Sequence, residues 1–121
     1  MTASELKPVY WIASAREDLK DFPDAVQRAM GYALFRAQEG KKAPSAKPLK
    51  GIVKGAGVLE IVGDYGPRTF RVAYTVRFAE VVYVLHAFQK KSKTGVATPR
   101  HDAELIRARY ALARAHYEQW R

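Results

Sequence analysis

Cysteine is absent from all 121 positions, which excludes disulfides and thiolate metal sites and leaves the fold to its apolar core. Histidine is scarce. His86, His101 and His116 stand too far apart in sequence to form a helical ligand pair, so neither a metal nor another cofactor is implied. No apolar run approaches the roughly 20 residues that span a bilayer, and the N-terminus lacks the basic-then-apolar order of a secretion signal. A cytoplasmic protein with no membrane partner is the expectation. At this length a second comfortable core is also lacking, so residues 1–121 are expected to form a single domain.

Acidic residues are missing from particular places. Residues 1–40 hold five Lys/Arg against six Asp/Glu, whereas residues 41–121 hold 16 against six, a surplus of +10. That surplus is concentrated in two acid-free stretches, Lys41 to Lys54 and Phe88 to Arg100. Clustered basic charge is an electrostatic footprint for a polyanion, and nucleic acid is the commonest one. The bland alternative is a basic surface that only confers solubility.

The apolar pattern divides the chain into elements. Val9 to Ile12, β-branched and aromatic after Pro8, predicts a short strand. Ser14 and Glu17 form a capping-box pattern for a short helix carrying Leu19 and Phe22. From Asp24 onward Val26, Ala29, Met30, Ala33, Leu34 and Ala37 recur at helical spacing, with Gly40 as a stop. Lys41 to Gly57, with two prolines, three glycines and five lysines, reads as a connecting loop, long for a passive one. Val58 to Val62, Thr69 to Val76 and Val81 to Phe88 predict a meander. In its middle strand Phe70, Val72, Tyr74 and Val76 face one way, and Arg71, Ala73 and Thr75 the other, as a sheet half covered by helices requires. After a polar loop, Ala103, Ile106, Tyr110, Ala113 and Tyr117 mark a last helix. The expected class is α+β: an N-terminal strand and helical hairpin packed on an antiparallel sheet, with a C-terminal helix.

The candidate site gathers on that sheet. Arg71 projects from the face away from the hairpin, with Lys90, Lys91 and Lys93 at the sheet end and Lys47 and Lys50 on the long loop. Such convergence suits a phosphodiester: an arginine neutralises charge growing on the non-bridging oxygens, and a lysine or histidine moves a proton. Each residue also has an ordinary reading. Arg71 would pair with Glu60 across the sheet, His86 would be a hydrogen-bonded structural histidine, and Lys90 and Lys91 would guard a strand edge.

Three segments carry a family resemblance: Lys47-Pro48-Leu49-Lys50-Gly51 with Leu59-Glu60-Ile61; Phe70-Arg71-Val72-Ala73-Tyr74; and Leu85 to Ser92, continuing to Thr98-Pro99. In this order the chain resembles the RelE/ParE toxin superfamily, and within it the phage-derived HigB-like branch, from Val9 to about Ala113. The resemblance implies a type II toxin: a metal-independent, ribosome-dependent endoribonuclease in which the ribose 2′-hydroxyl of the mRNA attacks the adjacent phosphate. It makes Arg71 the residue that stabilises the transition state, Lys90 and Lys91 the pair that binds and polarises the phosphate, and Glu60 the residue that positions Arg71. Arg68, Lys50, Lys47 and Lys93 would bind RNA, and His86 or Lys90 would transfer the proton. The implied partners are the ribosome, mRNA and a small helix-turn-helix antitoxin, HigA-like, whose acidic or amphipathic character would block the basic face. A ParE-like gyrase poison and a non-catalytic RNA or ribosome binder are the alternatives.

Overall fold

The computed structural model describes residues 5–55, 57–90 and 98–120. Its elements are β1 (Val9–Trp11), α1 (Ala15–Lys20), α2 (Asp24–Gln38), β2 (Ala46–Pro48), β3 (Val58–Tyr65), β4 (Arg68–Thr75), β5 (Val82–Lys90) and α3 (Arg100–Trp120). The strands form one sheet in the order β1-β5-β4-β3-β2. The fold is α+β, and two details depart from the sequence reading. β1 runs parallel to β5 while the other pairs are antiparallel. The segment expected to be only loop contains β2, three residues on the sheet edge, where proline is tolerated because an edge N–H need not join the ladder.

Helix starts follow the sequence pattern more closely than their caps do. α1 begins after Ser14, but no capping box forms; the Ser14 hydroxyl donates instead to Asp18 Oδ2 at 2.8 Å. Phe22 lies just past the end of α1 and is still buried. α2 presents Val26, Met30, Ala33, Leu34 and Ala37 to the sheet and stops before Gly40, which takes φ +81°. Gly63 of β3 makes that contact close: a Cβ there would meet Met30 Cε at 3.1 Å and Val26 Cγ1 at 3.4 Å.

Both faces of the sheet are covered, where sequence pattern alone suggested one. The hairpin of α1 and α2 seals Phe70, Val72, Tyr74, Val82 and Val84. On the other face α3 lays Ile106 and Ala113 over Ala73, Tyr83 and Leu85. α3 reaches that face because its small residues admit a close approach and its Tyr110 and Tyr117 pack beside Phe78. No helix among the described residues is long and apolar enough to cross a membrane.

One irregularity positions the site. Between β4 and β5 the pairing steps from Tyr74↔Val84 to Ala73↔His86, leaving Leu85 as the extra residue of a bulge. An extra residue reverses the alternation beyond it. Val82 and Val84 therefore face the hairpin, whereas His86, Phe88 and Lys90 lie opposite Ala73, Arg71 and Thr69 on the α3 face. Without the bulge, simple alternation would turn His86 and Lys90 toward the hairpin.

Candidate functional site

On the α3 face the strand registers align Lys47, Glu60, Ala73 and His86 in one row across β2, β3, β4 and β5. Arg71 stands one row along, diagonal to Glu60, and Lys90 one row further. Glu60 is 4% exposed, an unusual place for a carboxylate unless it is paired. Its Oε1 accepts from Arg71 Nη1 at 2.6 Å, and Lys47 Nζ stands 3.7 Å from the same oxygen. Glu60 Oε2 and Arg71 Nε are both buried and, among the described residues, have no hydrogen-bond partner. One acceptor and one donor thus stand open within a single ion pair.

Lys90 is buried beside this pair rather than displayed at a sheet edge. Its ammonium pKa is pushed below the ordinary lysine value by burial first, then by the Arg71 and Lys47 charges, with Glu60 opposing. The simple edge-guard reading of Lys90 therefore does not fit its position. Lys47, by contrast, keeps most of its side chain in solvent, and Lys50 is exposed on the loop after β2. Both line a groove of about 440 Å³ that reaches Glu60 and is bounded on its far side by Thr98.

His86 shares the face but not the ion pair. Its Nε2 lies 2.7 Å from Asp102 Oδ1 and its Nδ1 3.1 Å from Arg109 Nη1. Its ring stacks on Phe88, with centroids 4.8 Å apart and planes inclined by 14°. Arg109 also donates to Leu85 O and to Ser14 Oγ, each at 3.2 Å, so this cluster ties α3 to β5 and to the start of α1. Burial lowers the His86 pKa; Asp102 opposes that shift and Arg109 adds to it. Asp102 and Arg109 were not singled out from sequence, since an Asp in a first helical turn and an Arg off the apolar stripe look like ordinary surface residues.

Arg68 falls on the opposite side. It sits over the rings of Tyr65 and Phe70 at 5.5 and 5.3 Å, on the hairpin face, away from Arg71 and Lys90. Lys91 and Lys93 lie outside the described residues. The structure thus brings together Glu60, Arg71, Lys90, Lys47 and Lys50, holds His86 nearby in a separate network, and leaves Arg68 apart. Among the described residues no three His, Asp or Glu side chains converge as a metal site would need.

The family profile described as Phage derived protein Gp49-like matches residues 17–111. No curated protein matches the chain significantly. Among solved structures, the chain is similar to one in the toxin–antitoxin complex RelBE2 from Mycobacterium tuberculosis, at 20% identity and a TM-score of 0.47, over 70% of this chain and 99% of that one. A likeness of that size carries no residue roles across.

Proposed function

Since the chain belongs to the phage-derived Gp49-like family, a family of RelE/HigB-type toxins, we propose that it is a ribosome-dependent endoribonuclease that cuts mRNA and is neutralised by a cognate antitoxin. The observation that supports this most is the buried Glu60–Arg71 pair with Oε2 and Nε open, beside the buried Lys90. A ribose 2′-hydroxyl next to a phosphate offers the complement, a donor for Oε2 and an acceptor for Nε, once the side chains over these buried atoms move aside.

In the proposed reaction the 2′-oxygen attacks phosphorus and the bond to the 5′-oxygen of the next nucleotide breaks. The products are a 2′,3′-cyclic phosphate and a 5′-hydroxyl, so the RNA itself supplies the nucleophile. Arg71 neutralises charge on the non-bridging oxygens, and Glu60 fixes its guanidinium. The 2′-hydroxyl gives up its proton to water as it attacks, and of the two candidates for proton transfer we favour Lys90, whose lowered pKa eases release of a proton to the leaving 5′-oxygen; water then reprotonates Lys90. His86 has both nitrogens engaged and is assigned to holding β5 and α3 together. Lys47 and Lys50 supply phosphate contacts at the rim, and Arg68 is a secondary contact from the other face; by the family resemblance Lys91 joins Lys90 in binding the scissile phosphate and Lys93 binds RNA. The partner is a small helix-turn-helix antitoxin, HigA-like, with acidic or amphipathic segments that complement a +10 surplus. The cytoplasm, where ribosomes translate, is the compartment this activity requires.

Induced expression of wild type and Arg71→Ala, with mRNA 5′ ends mapped on translated and untranslated copies of one transcript, tests the reading. Cuts confined to the translated copy and lost in the variant are expected. Growth arrest without cuts, or with a DNA-damage response, would replace it with gyrase poisoning. Ribosome binding without cuts or arrest would leave a non-catalytic binder.

A further inference from the structure

The segment between β2 and β3 is held more firmly than a connector needs. Arg107 Nε of α3 donates to Ile52 O at 2.8 Å, and Arg77 Nη1 donates to Gly55 O at 2.7 Å. The ends are closed by Leu49 N–H to Val58 O at 2.9 Å and Thr75 Oγ1–H to Gly57 O at 2.8 Å. Gly51 and Gly55 take φ of +79° and +68°, so the chain turns at two positions where a side chain would be strained. Leu49, Ile52 and Val53 lean onto the core under α3, while Lys50 and Lys54 stay exposed.

Two hollows lie against this loop. One of about 470 Å³ runs from Pro48 to Gly55 and Val58; the other, of about 440 Å³, opens on Lys47, Thr98 and Glu60. They share the wall from Pro48 to Ile52, so one surface leads from the Glu60–Arg71 pair outward along the loop. Both fall within the roughly 300–1,000 Å³ of small-ligand sites. A fixed apolar edge from Leu49 and Ile52, with ammonium groups at the rim, matches the two halves of a nucleotide: the base against the edge, the phosphate among Lys47, Lys50 and Lys54.

We propose that the Leu49–Gly55 loop is a ribonucleotide subsite that takes the nucleotide next to the scissile phosphate of single-stranded RNA and sets which base is preferred there. The inference rests on the reading of Glu60, Arg71 and Lys90 as the cleavage centre. Arg107 acts in it as a positioning residue, since it holds the loop through the Ile52 carbonyl.

The test compares mapped mRNA cuts in wild type, Arg107→Ala and Lys50→Ala/Lys54→Ala, with a thermal melt of each. A preference between bases at the position flanking the cut is expected in wild type. It flattens in Arg107→Ala while cutting still depends on Arg71, and the double lysine variant cuts more slowly at every site. An unchanged preference in folded Arg107→Ala overturns the subsite. Amide shifts of the purified wild-type protein titrated with a short single-stranded RNA are expected at residues 49–55 and lost in the double lysine variant. If those shifts appear and mRNA is never cut, the cleavage reading fails and takes with it the place of the nucleotide beside a scissile phosphate, while RNA binding at the loop stands. If mRNA is cut and both shifts and preference miss the loop, the subsite fails and the cleavage reading stands.

Discussion

Arg109 donates to Nδ1 of His86 at 3.1 Å, and a guanidinium has no lone pair to accept with. The imidazole is therefore neutral with its proton on Nε2, which donates to Asp102 Oδ1 at 2.7 Å. Sequence pattern offered His86 as a general base or a structural histidine; this geometry supports the structural role and makes the ring a clamp between β5 and α3.

The clamp predicts a pH dependence. Burial pushes the His86 pKa below its ordinary value of 6.5, so below that value the unfolded chain takes up the proton before the folded one does. Stability gained from neutral His86 is fully present above about pH 6.5 and falls with pH toward the lower folded-state value. Melting midpoints from pH 8 to 5 are expected to drop more steeply for wild type than for His86→Gln. Equal slopes would show that the ring is not held neutral.

Which parts of the site were legible follows from the bulge at Leu85. Period-two alternation identified β3, β4 and β5 and placed Arg71 correctly, because β4 is regular. It has no means of recognising an extra residue in β5, so the shared face of Arg71, His86 and Lys90 appears only in the paired strands. β2 escaped notice for a related reason: three residues with a lysine and a proline carry no period. The cover given by α3 was hidden because pattern shows that a helix has an apolar stripe, not which side of the sheet it packs on. The Arg71–Glu60 pair was legible, since both sit inside strands and have opposite charge.

The Glu60–Arg71 pair predicts a thermodynamic cycle. Removing one partner strands the other as a buried charge, which costs about 3–5 kcal/mol. Lys47, 3.7 Å from Glu60, keeps Arg71→Ala near the low end of that range. Glu60→Gln/Arg71→Gln is expected to be more stable than Arg71→Ala by urea denaturation and equally inactive. If the double variant is the less stable of the two, the pair is not coupled as its 2.6 Å contact implies.

Gly63 predicts a steric threshold. An alanine Cβ would meet chiefly the flexible end of Met30 at 3.1 Å, and the far end of a methionine side chain can shift. Gly63→Ala is expected to change stability by less than about 1 kcal/mol, whereas Gly63→Val overpacks α2 against β3 and costs about 1–3 kcal/mol. Thermal melts of the two decide it; equal costs would mean that the helix cannot yield even to a methyl group.

The far end of α3 is anchored by His116, whose Nδ1 lies 2.7 Å from the Tyr83 hydroxyl and whose ring lies against Tyr10, with centroids 4.0 Å apart and planes inclined by 31°. Tyr83→Phe removes the hydroxyl and keeps the ring. It is expected to cost about 1 kcal/mol, which lowers the melting midpoint by about 4 °C. An unshifted midpoint would show that the Tyr83–His116 hydrogen bond adds nothing to the fold.

Lys90 separates stability from function most sharply. Its environment disfavours the charged form, as the lowered pKa records, and with the folded value below the ordinary 10.5 the stability penalty is present at neutral pH and lifts only as pH rises through the folded value toward 10.5. Methionine has similar length, fills the same space and needs no charge partner. Lys90→Met is therefore expected to match the wild-type stability at pH 7 or exceed it by up to about 1 kcal/mol, with a melting midpoint no lower than wild type, while losing mRNA cleavage. That combination marks a residue retained for chemistry at a cost in stability. A lower midpoint together with lost cleavage would instead make Lys90 a structural partner of Glu60 and move the proton transfer elsewhere.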